Sequence, residues 1–449
     1  MKHVYLENLG CSKNQVDAEV MLTLLEDEFS QVEDPQGADL IIVNTCGFIA
    51  SAREEAINSF FDLHQSNPDA KIIFSGCMAQ RYADELTNEL PEASAIFGNH
   101  DLSKLPEVVE HVFRDERVVV TPHYPAKKNE DVYERNLLLT FPGSAYLKIS
   151  EGCNHRCSYC AIPIIRGPLR SKPLEIILDE AKTLIANGVK EINLIGQDLA
   201  SWGKDSKDSS ATFMNLLNEL VHIEGEFSIR LLYIHPDTFP AELPHFIQMN
   251  PKILPYFDIP FQHADEAILR SMGRRGTSES HLELIKTIRS ILPAAIIRST
   301  ILLGYPGEDE ESFHRVKEFL QNAQLDWVGS FVYSLEEGTK AASLTNERTN
   351  SKVVKKAAKF QTELEALQLG ITTERLKSYI GKEVDVLIEE SIEGEELFIG
   401  RTWAQAPEVD GLTVVLGRVL IPGTVVRCGI TAVNGLDFEA IPLQGGFDG

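Results

Sequence analysis

The run Glu151-Gly152-Cys153-Asn154-His155-Arg156-Cys157-Ser158-Tyr159-Cys160 places three thiols within eight residues, as C-x3-C-x2-C, in a chain of 449 residues with seven cysteines. A short loop with that spacing can wrap three sulfurs around one inorganic centre, and no fourth cysteine follows nearby. Closed structural zinc sites and ordinary electron-transfer clusters use four protein ligands. Three thiolates on a cubane cluster leave one iron open to a further ligand, and an open iron is a reactive position. A zinc loop that recruits His155, or a disulfide cluster, is the competing reading of the same residues.

Three more cysteines sit at equivalent places in the first part of the chain. Cys11 follows an expected strand in Leu9-Gly10-Cys11, Cys46 another in Asn44-Thr45-Cys46-Gly47, and Cys77 a third in Ser75-Gly76-Cys77. One cysteine after a strand is usually a small buried residue. Three in register, 35 and 31 residues apart, can converge outside the carboxyl ends of a parallel sheet, where open α/β sheets bind ligands. Gly10, Gly47 and Gly76 allow close backbone approach there. This second triad also leaves an open coordination position.

Periodicity supplies the elements that must hold these residues. Expected strands over 3–7, 38–43 and 71–74 alternate with helices over 14–25, 50–63 and 79–90, which predicts an open parallel α/β sheet. Prolines and mixed charge after residue 118 mark a linker over 119–138. Strands are then expected over 145–150, 190–195, 228–234, 256–261, 296–303 and 328–333, with helices over 174–186, 213–223, 278–292 and 310–320 between them. Six βα units are too few to close an eight-stranded barrel, so a partial (β/α)6 barrel is expected. Polar residues gather where its strands end: Gln197-Asp198, His235, Gln262-His263, Arg298 and the Gly304-x2-Gly307-Glu308 turn. A connector helix over 352–377 leads to five short strands within 383–441, which predict a small all-β barrel. The domains read as 1–118, 139–372 and 374–443.

The loop C-x3-C-x-aromatic-C, with Tyr159 as the aromatic, resembles the radical S-adenosylmethionine (SAM) enzymes. With the N-terminal triad and a C-terminal domain similar to TRAM at Gly400-Arg401-Thr402-Trp403, the chain is identified as a member of the methylthiotransferase branch. Gly10-Cys11-Ser12-Lys13-Asn14 and Gln262-His263 are similar to members that modify a ribosomal protein. The tRNA members typically show Gly-Cys-Gln-Met-Asn and Gln-Ser at these places. The resemblance implies a transferase that inserts a methylthio group at the β-carbon of an aspartate of ribosomal small-subunit protein S-twelve. It implies two 4Fe–4S clusters, one on Cys153, Cys157 and Cys160 and an auxiliary one on Cys11, Cys46 and Cys77. One SAM would supply the methyl group and another the radical, with electrons from a flavodoxin or ferredoxin. Gln197, Arg298, Gly304, Gly307 and Glu308 lie where SAM contacts are common in that family, and no catalytic residue is implied beyond the cluster ligands. A tRNA methylthiotransferase acting on a modified adenosine, and a non-catalytic iron–sulfur sensor, are the competing readings.

Charge bears on the partner. The formal net charge is −25, which opposes phosphate binding and suits a basic protein. Residues 376–449 hold 12 Asp plus Glu against 5 Lys plus Arg, a net of −7, although TRAM domains commonly bind RNA. No apolar run approaches the roughly 18 residues of a membrane span. The N-terminus has no signal-peptide layout, and an odd number of scattered cysteines suggests no disulfide framework, so the expected compartment is the cytoplasm. Cys428 lies in an apolar strand pattern and reads as core.

Overall fold

The computed structural model describes residues 1–124, 135–345, 347–417 and 419–443, and residues 125–134 of the expected linker lie outside them. Its first sheet holds six parallel strands, β1 (Lys2–Leu9), β2 (Phe29–Gln31), β3 (Leu40–Thr45), β4 (Lys71–Gly76), β5 (Ala95–Phe97) and β6 (Val118–Val120), in the order β2-β1-β3-β4-β5-β6. The central β3 is buried along its whole length, as its unbroken apolar run requires. Helices α1 (Ser12–Leu25), α2 (Ala50–Ser66), α3 (Cys77–Arg81), α4 (Ala83–Glu89) and α5 (Leu105–Phe113) cover the two faces. The helix expected over 79–90 is broken at Tyr82, whose backbone leaves helical values. β6 extends the sheet into the segment read as linker.

The second sheet runs β7 (Ser144–Lys148), β10 (Glu191–Ile195), β11 (Ser228–Leu231), β12 (Ile253–Asp258), β13 (Ile296–Leu303) and β14 (Trp327–Val332), all parallel, with β7 and β14 at its edges among the described residues. A short antiparallel pair, β8 (Ser150–Glu151) with β9 (Arg170–Ser171), brackets the cysteine loop and the small helix α6 (Ile162–Ile165). Helices α7 (Leu174–Ala186), α8 (Phe213–Val221), α9 (Leu243–Met249), α10 (Glu266–Ser271), α11 (Ser278–Ile291) and α12 (Glu310–Ala323) follow the strands. Thr277 with Ser280 and Asp309 with Ser312 close reciprocal N-terminal caps on α11 and α12, satisfying amides that a helix start leaves free.

The long helix α13 (Glu347–Lys377) then delivers a closed five-stranded barrel, β15 (Glu383–Ser391), β16 (Leu397–Arg401), β17 (Thr413–Leu416), β18 (Val425–Asn434) and β19 (Asp437–Pro442). Neighbouring residues on a strand face opposite ways, and the half-barrel uses both faces. Leu147, Leu194, Phe257 and Ile297 pack beneath the helices. Their neighbours Tyr146, Ile195, Tyr256 and Ile296 instead join Val384, Phe398 and Val415 of the small barrel in one core. The C-terminal barrel therefore seats against the inner face of the half-barrel. Cys428 is buried in that shared core, as its sequence context predicts.

Buried charges pin the seat. Glu191 pairs with Arg230 at 2.9 Å and with Arg401 of the small barrel at 2.7 Å, and Arg401 also meets Glu389 at 2.7 Å. Arg230 donates to the carbonyl of Trp403 at 2.8 Å, and the Trp327 indole donates to that of Ala404 at 2.7 Å.

Candidate active site

Parallel pairing brings the first cysteine triad together. Leu9 lies opposite Thr45, and Thr45 opposite Gly76, so three loops leave adjacent strand ends side by side. The Cys11 and Cys77 thiols flank one atom, Asn14 Oδ1, at 3.5 and 3.7 Å. Burial pushes the Cys46 thiol up to about 12, and the neighbouring Cys77 and Cys11 thiols add to the effect. Burial likewise raises Cys77.

The glycines are needed because the loops crowd one another. A Cβ on Gly10 would lie 2.3 Å from Asn14 Cγ, one on Gly47 2.8 Å from the Cys77 carbonyl oxygen, and one on Gly76 2.6 Å from the backbone of Thr45. Gly76 also has φ +96°, a conformation that side chains resist. Gly76→Ala is expected to cost about 1–3 kcal/mol of strain and to lower iron bound at this triad after reconstitution. Unchanged stability and iron content would show that the loops relax freely.

The second triad is held by the barrel. The Cys153 amide donates to the Gly167 carbonyl at 3.1 Å, the Ser158 amide to that of Met272 at 2.9 Å, and the Cys160 amide to that of Cys157 at 3.1 Å. Tyr159, the aromatic of the motif, accepts from Arg274 at 3.1 Å. Burial pushes the Cys153 thiol up to about 11 and Cys160 up to about 12. His235 Nε2 lies 3.9 Å from Cys157 Sγ and its ring stacks on His155. His155 in turn bonds Asp198 at 2.7 Å. Burial works against that carboxylate, yet hydrogen bonds from His155, Ser201 and the His235 amide hold it at about 2.

The two triads meet at one buried guanidinium. Arg166, 3% exposed, reaches Asn14 Oδ1 at 3.0 Å, Asp17 at 3.0 Å and Glu151 at 2.9 Å. Lys148 bridges the same two carboxylates, at 2.5 Å to Asp17 and 2.9 Å to Glu151. Burial would neutralise Glu151, but Arg166 and Lys148 outweigh it and hold the carboxyl well below its usual range. Cys77, Ala161 and Ile165 share a small apolar cluster, so the loops of the two triads also pack directly. Sequence reasoning missed Asp17, Arg166 and Lys148, and met Asn14 only as a motif residue with no role.

The sequence-predicted SAM-side residues divide in two. Gln197 donates to Glu151 at 3.0 Å, beside the cysteine loop, and its Oε1 is buried without a hydrogen-bond partner among the described residues. Arg298 instead sits between Asp258 at 3.2 Å and Asp410 of the small barrel at 3.3 Å. The Glu308 carboxylate accepts from the Gly304 amide and meets His263 at 3.2 Å. A Cβ on Gly304 would lie 2.7 Å from Ala357 of α13, and one on Gly307 3.7 Å from Ile268 of α10. This turn reaches the cysteine loop through Tyr305, whose hydroxyl bonds Ser158 Oγ at 2.8 Å.

Among the described residues no three His, Cys, Asp or Glu side chains close on a single ion. All-sulfur donor sets, the raised thiols of Cys46, Cys77, Cys153 and Cys160, whose protons a metal would displace, and strand ends without room for a Cβ are features that fit iron–sulfur clusters.

Family models match all three units: residues 3–98 the Uncharacterized protein family UPF0004, 147–320 the Radical SAM superfamily, and 380–442 the TRAM domain. The chain is 43% identical to the ribosomal protein uS12 methylthiotransferase RimO of Treponema denticola, over 97% of this chain and 99% of that one. It is 42% identical to the RimO of Moorella thermoacetica, over 98% and 99%. The chain belongs to the RimO family. It is a radical SAM methylthiotransferase, and enzymes of this family use S-adenosyl-L-methionine and 4Fe–4S clusters. Among solved structures, the radical SAM methyltransferase TsrM of Kitasatospora setae is similar in fold, with TM-score 0.54 and 17% identity over 74% of this chain and 73% of that one. Among the described residues, no helix is long and apolar enough to cross a membrane.

Proposed function

We propose that this protein inserts a methylthio group at the β-carbon of an aspartate of ribosomal small-subunit protein S-twelve. The observation that carries the proposal is the meeting of two three-cysteine sets across Arg166. When bound, SAM and the clusters supply the radical, the methyl group and the sulfur, chemistry that no ordinary side chain provides at an unactivated C–H bond. Cys153, Cys157 and Cys160 hold the SAM-binding 4Fe–4S cluster, and Cys11, Cys46 and Cys77 hold the auxiliary one. Gln197 offers its free Oε1 to SAM. Arg298, fixed by Asp258 and Asp410, and the Gly304, Gly307 and Glu308 turn shape the pocket wall around it. The net charge of −25 favours a basic ribosomal protein over nucleic acid, and action on that substrate places the enzyme in the cytoplasm. A flavodoxin or ferredoxin supplies the electrons.

The test is anaerobic reconstitution with iron and sulfide, followed by incubation with SAM, reductant and S-twelve. The wild type should hold about eight irons and a Cys153/Cys157/Cys160→Ala variant about four, as two cubanes require. Only the wild type should add a methylthio mass to the substrate. About four irons falling to none would remove the auxiliary cluster and the sulfur-insertion reading with it.

A further inference from the structure

Nearly every buried cation where the N-terminal domain meets the half-barrel already has a carboxylate. Arg166 and Lys148 share Asp17 and Glu151, Arg135 holds Glu19 and Glu180, Lys172 holds Glu180, and Arg298 holds Asp258 and Asp410. Arg274 gives its guanidinium to the Pro260 carbonyl and the Tyr159 hydroxyl. Lys13 differs. It is 8% exposed, and its ammonium rests 3.6 Å from the centre of the Tyr233 ring with no hydrogen bond or ion pair among the described residues. A buried ammonium left without an anion is costly, so a protein that keeps one has a reason to hold it open.

Its surroundings indicate the reason. Lys13 stands two residues after Cys11 at the start of α1 and lies within electrostatic range of Cys11 first, then of Arg166, Glu151 and Asp258, the last two at the carboxyl ends of the half-barrel strands. Tyr233, which carries it, has φ +69°, a strained backbone for a bulky residue and one that clusters at functional sites. The ammonium is thus held between the auxiliary triad and the barrel mouth, where a substrate carbon must sit to receive sulfur.

We propose that Lys13 is the anchor for the carboxylate of the substrate aspartate, and so selects an acidic side chain and sets its β-carbon in place. The proposal rests on the substrate reading above.

The test is binding, measured by fluorescence anisotropy with the reconstituted full-length protein and no reductant. The probes are labelled S-twelve and the same protein with its target aspartate replaced by asparagine. Losing one charge-assisted hydrogen bond should weaken wild-type binding of the asparagine form about ten- to a hundredfold. Lys13→Gln should bind both forms alike, and Lys13→Arg should restore the preference. Wild type and Lys13→Gln discriminating equally would overturn the role of Lys13 alone. Wild-type protein that binds neither form would overturn the substrate reading and this proposal together.

Discussion

Replacing Arg166 by methionine should destabilise the junction of the N-terminal domain and the half-barrel by about 3–5 kcal/mol, the usual cost of stranding buried partners of an ion pair. The methionine side chain is close in length and volume to the whole arginine side chain, so packing changes little and electrostatics dominates. Asp17 and Glu151 would keep Lys148 but lose their second cation, and Asn14 Oδ1 would lose its donor. The Cys77 and Cys11 sulfurs would also lose the positive charge that faces them. Anaerobic urea unfolding of the apo-protein at neutral pH measures the first effect, and iron retained at the N-terminal triad measures the second. A loss below about 1 kcal/mol, the worth of an exposed pair, would mean that water replaces the guanidinium and that the junction is looser than described.

Glu191→Gln should release the C-terminal barrel from the half-barrel at a similar cost, about 3–5 kcal/mol. Arg230 and Arg401 are almost fully buried and share this carboxylate, and Glu389 remains for Arg401 alone, so a neutral amide leaves one positive charge uncompensated. The pH dependence gives an independent check. Burial opposes ionisation of Glu191, but Arg230 and Arg401 hold it at about 2, below its ordinary 4.5. Its stabilisation is therefore complete above pH 4.5 and lost as pH falls from there towards 2. Asp410 behaves oppositely, because burial outweighs Arg298 and pushes it up to about 6 from 3.8. Its contribution is complete below pH 3.8 and lost as pH rises through 6. Burial holds His235, His281 and His100 below their usual range, so these lose stability as pH falls and oppose Asp410. Each carboxyl is therefore read as the difference between wild type and its own variant: the Asp410→Asn difference should grow in favour of wild type on acidification from pH 7, and the Glu191→Gln difference should shrink below pH 4.5. A difference between wild type and variant that does not change with pH would assign the titration elsewhere.

The cysteine triads were legible in the sequence for different reasons. Cys153, Cys157 and Cys160 are neighbours in the chain, so their spacing alone speaks. Cys11, Cys46 and Cys77 are remote, yet parallel pairing of Leu9 with Thr45 and of Thr45 with Gly76 turns equal position after a strand into proximity. The glycines beside them were visible too, although the structure gives their close neighbours as adjoining strand ends and loops. The bridge between the triads was not legible. Arg166 and Asn14 are 152 residues apart, and the only local sign was a charge closing the apolar run 161–165. Strands β2, β5 and β6 escaped because three residues carry no measurable alternation. Arg298 drew attention as a polar residue inside a strand, but nothing nearby in sequence predicts Asp410, contributed by another domain.

The way the small barrel seats has a consequence for the order of synthesis. The carbonyls that satisfy Arg230 and Trp327, and the carboxylate that steadies Arg298, belong to residues 402–410. A nascent chain that has finished the half-barrel but not this stretch carries a buried cation and an indole with partners still to be made. At about 5–20 residues per second, that interval lasts seconds, during which both cysteine triads already exist. The polar groups on the inner face of the half-barrel are therefore fully satisfied only once the last domain to leave the ribosome has folded onto it.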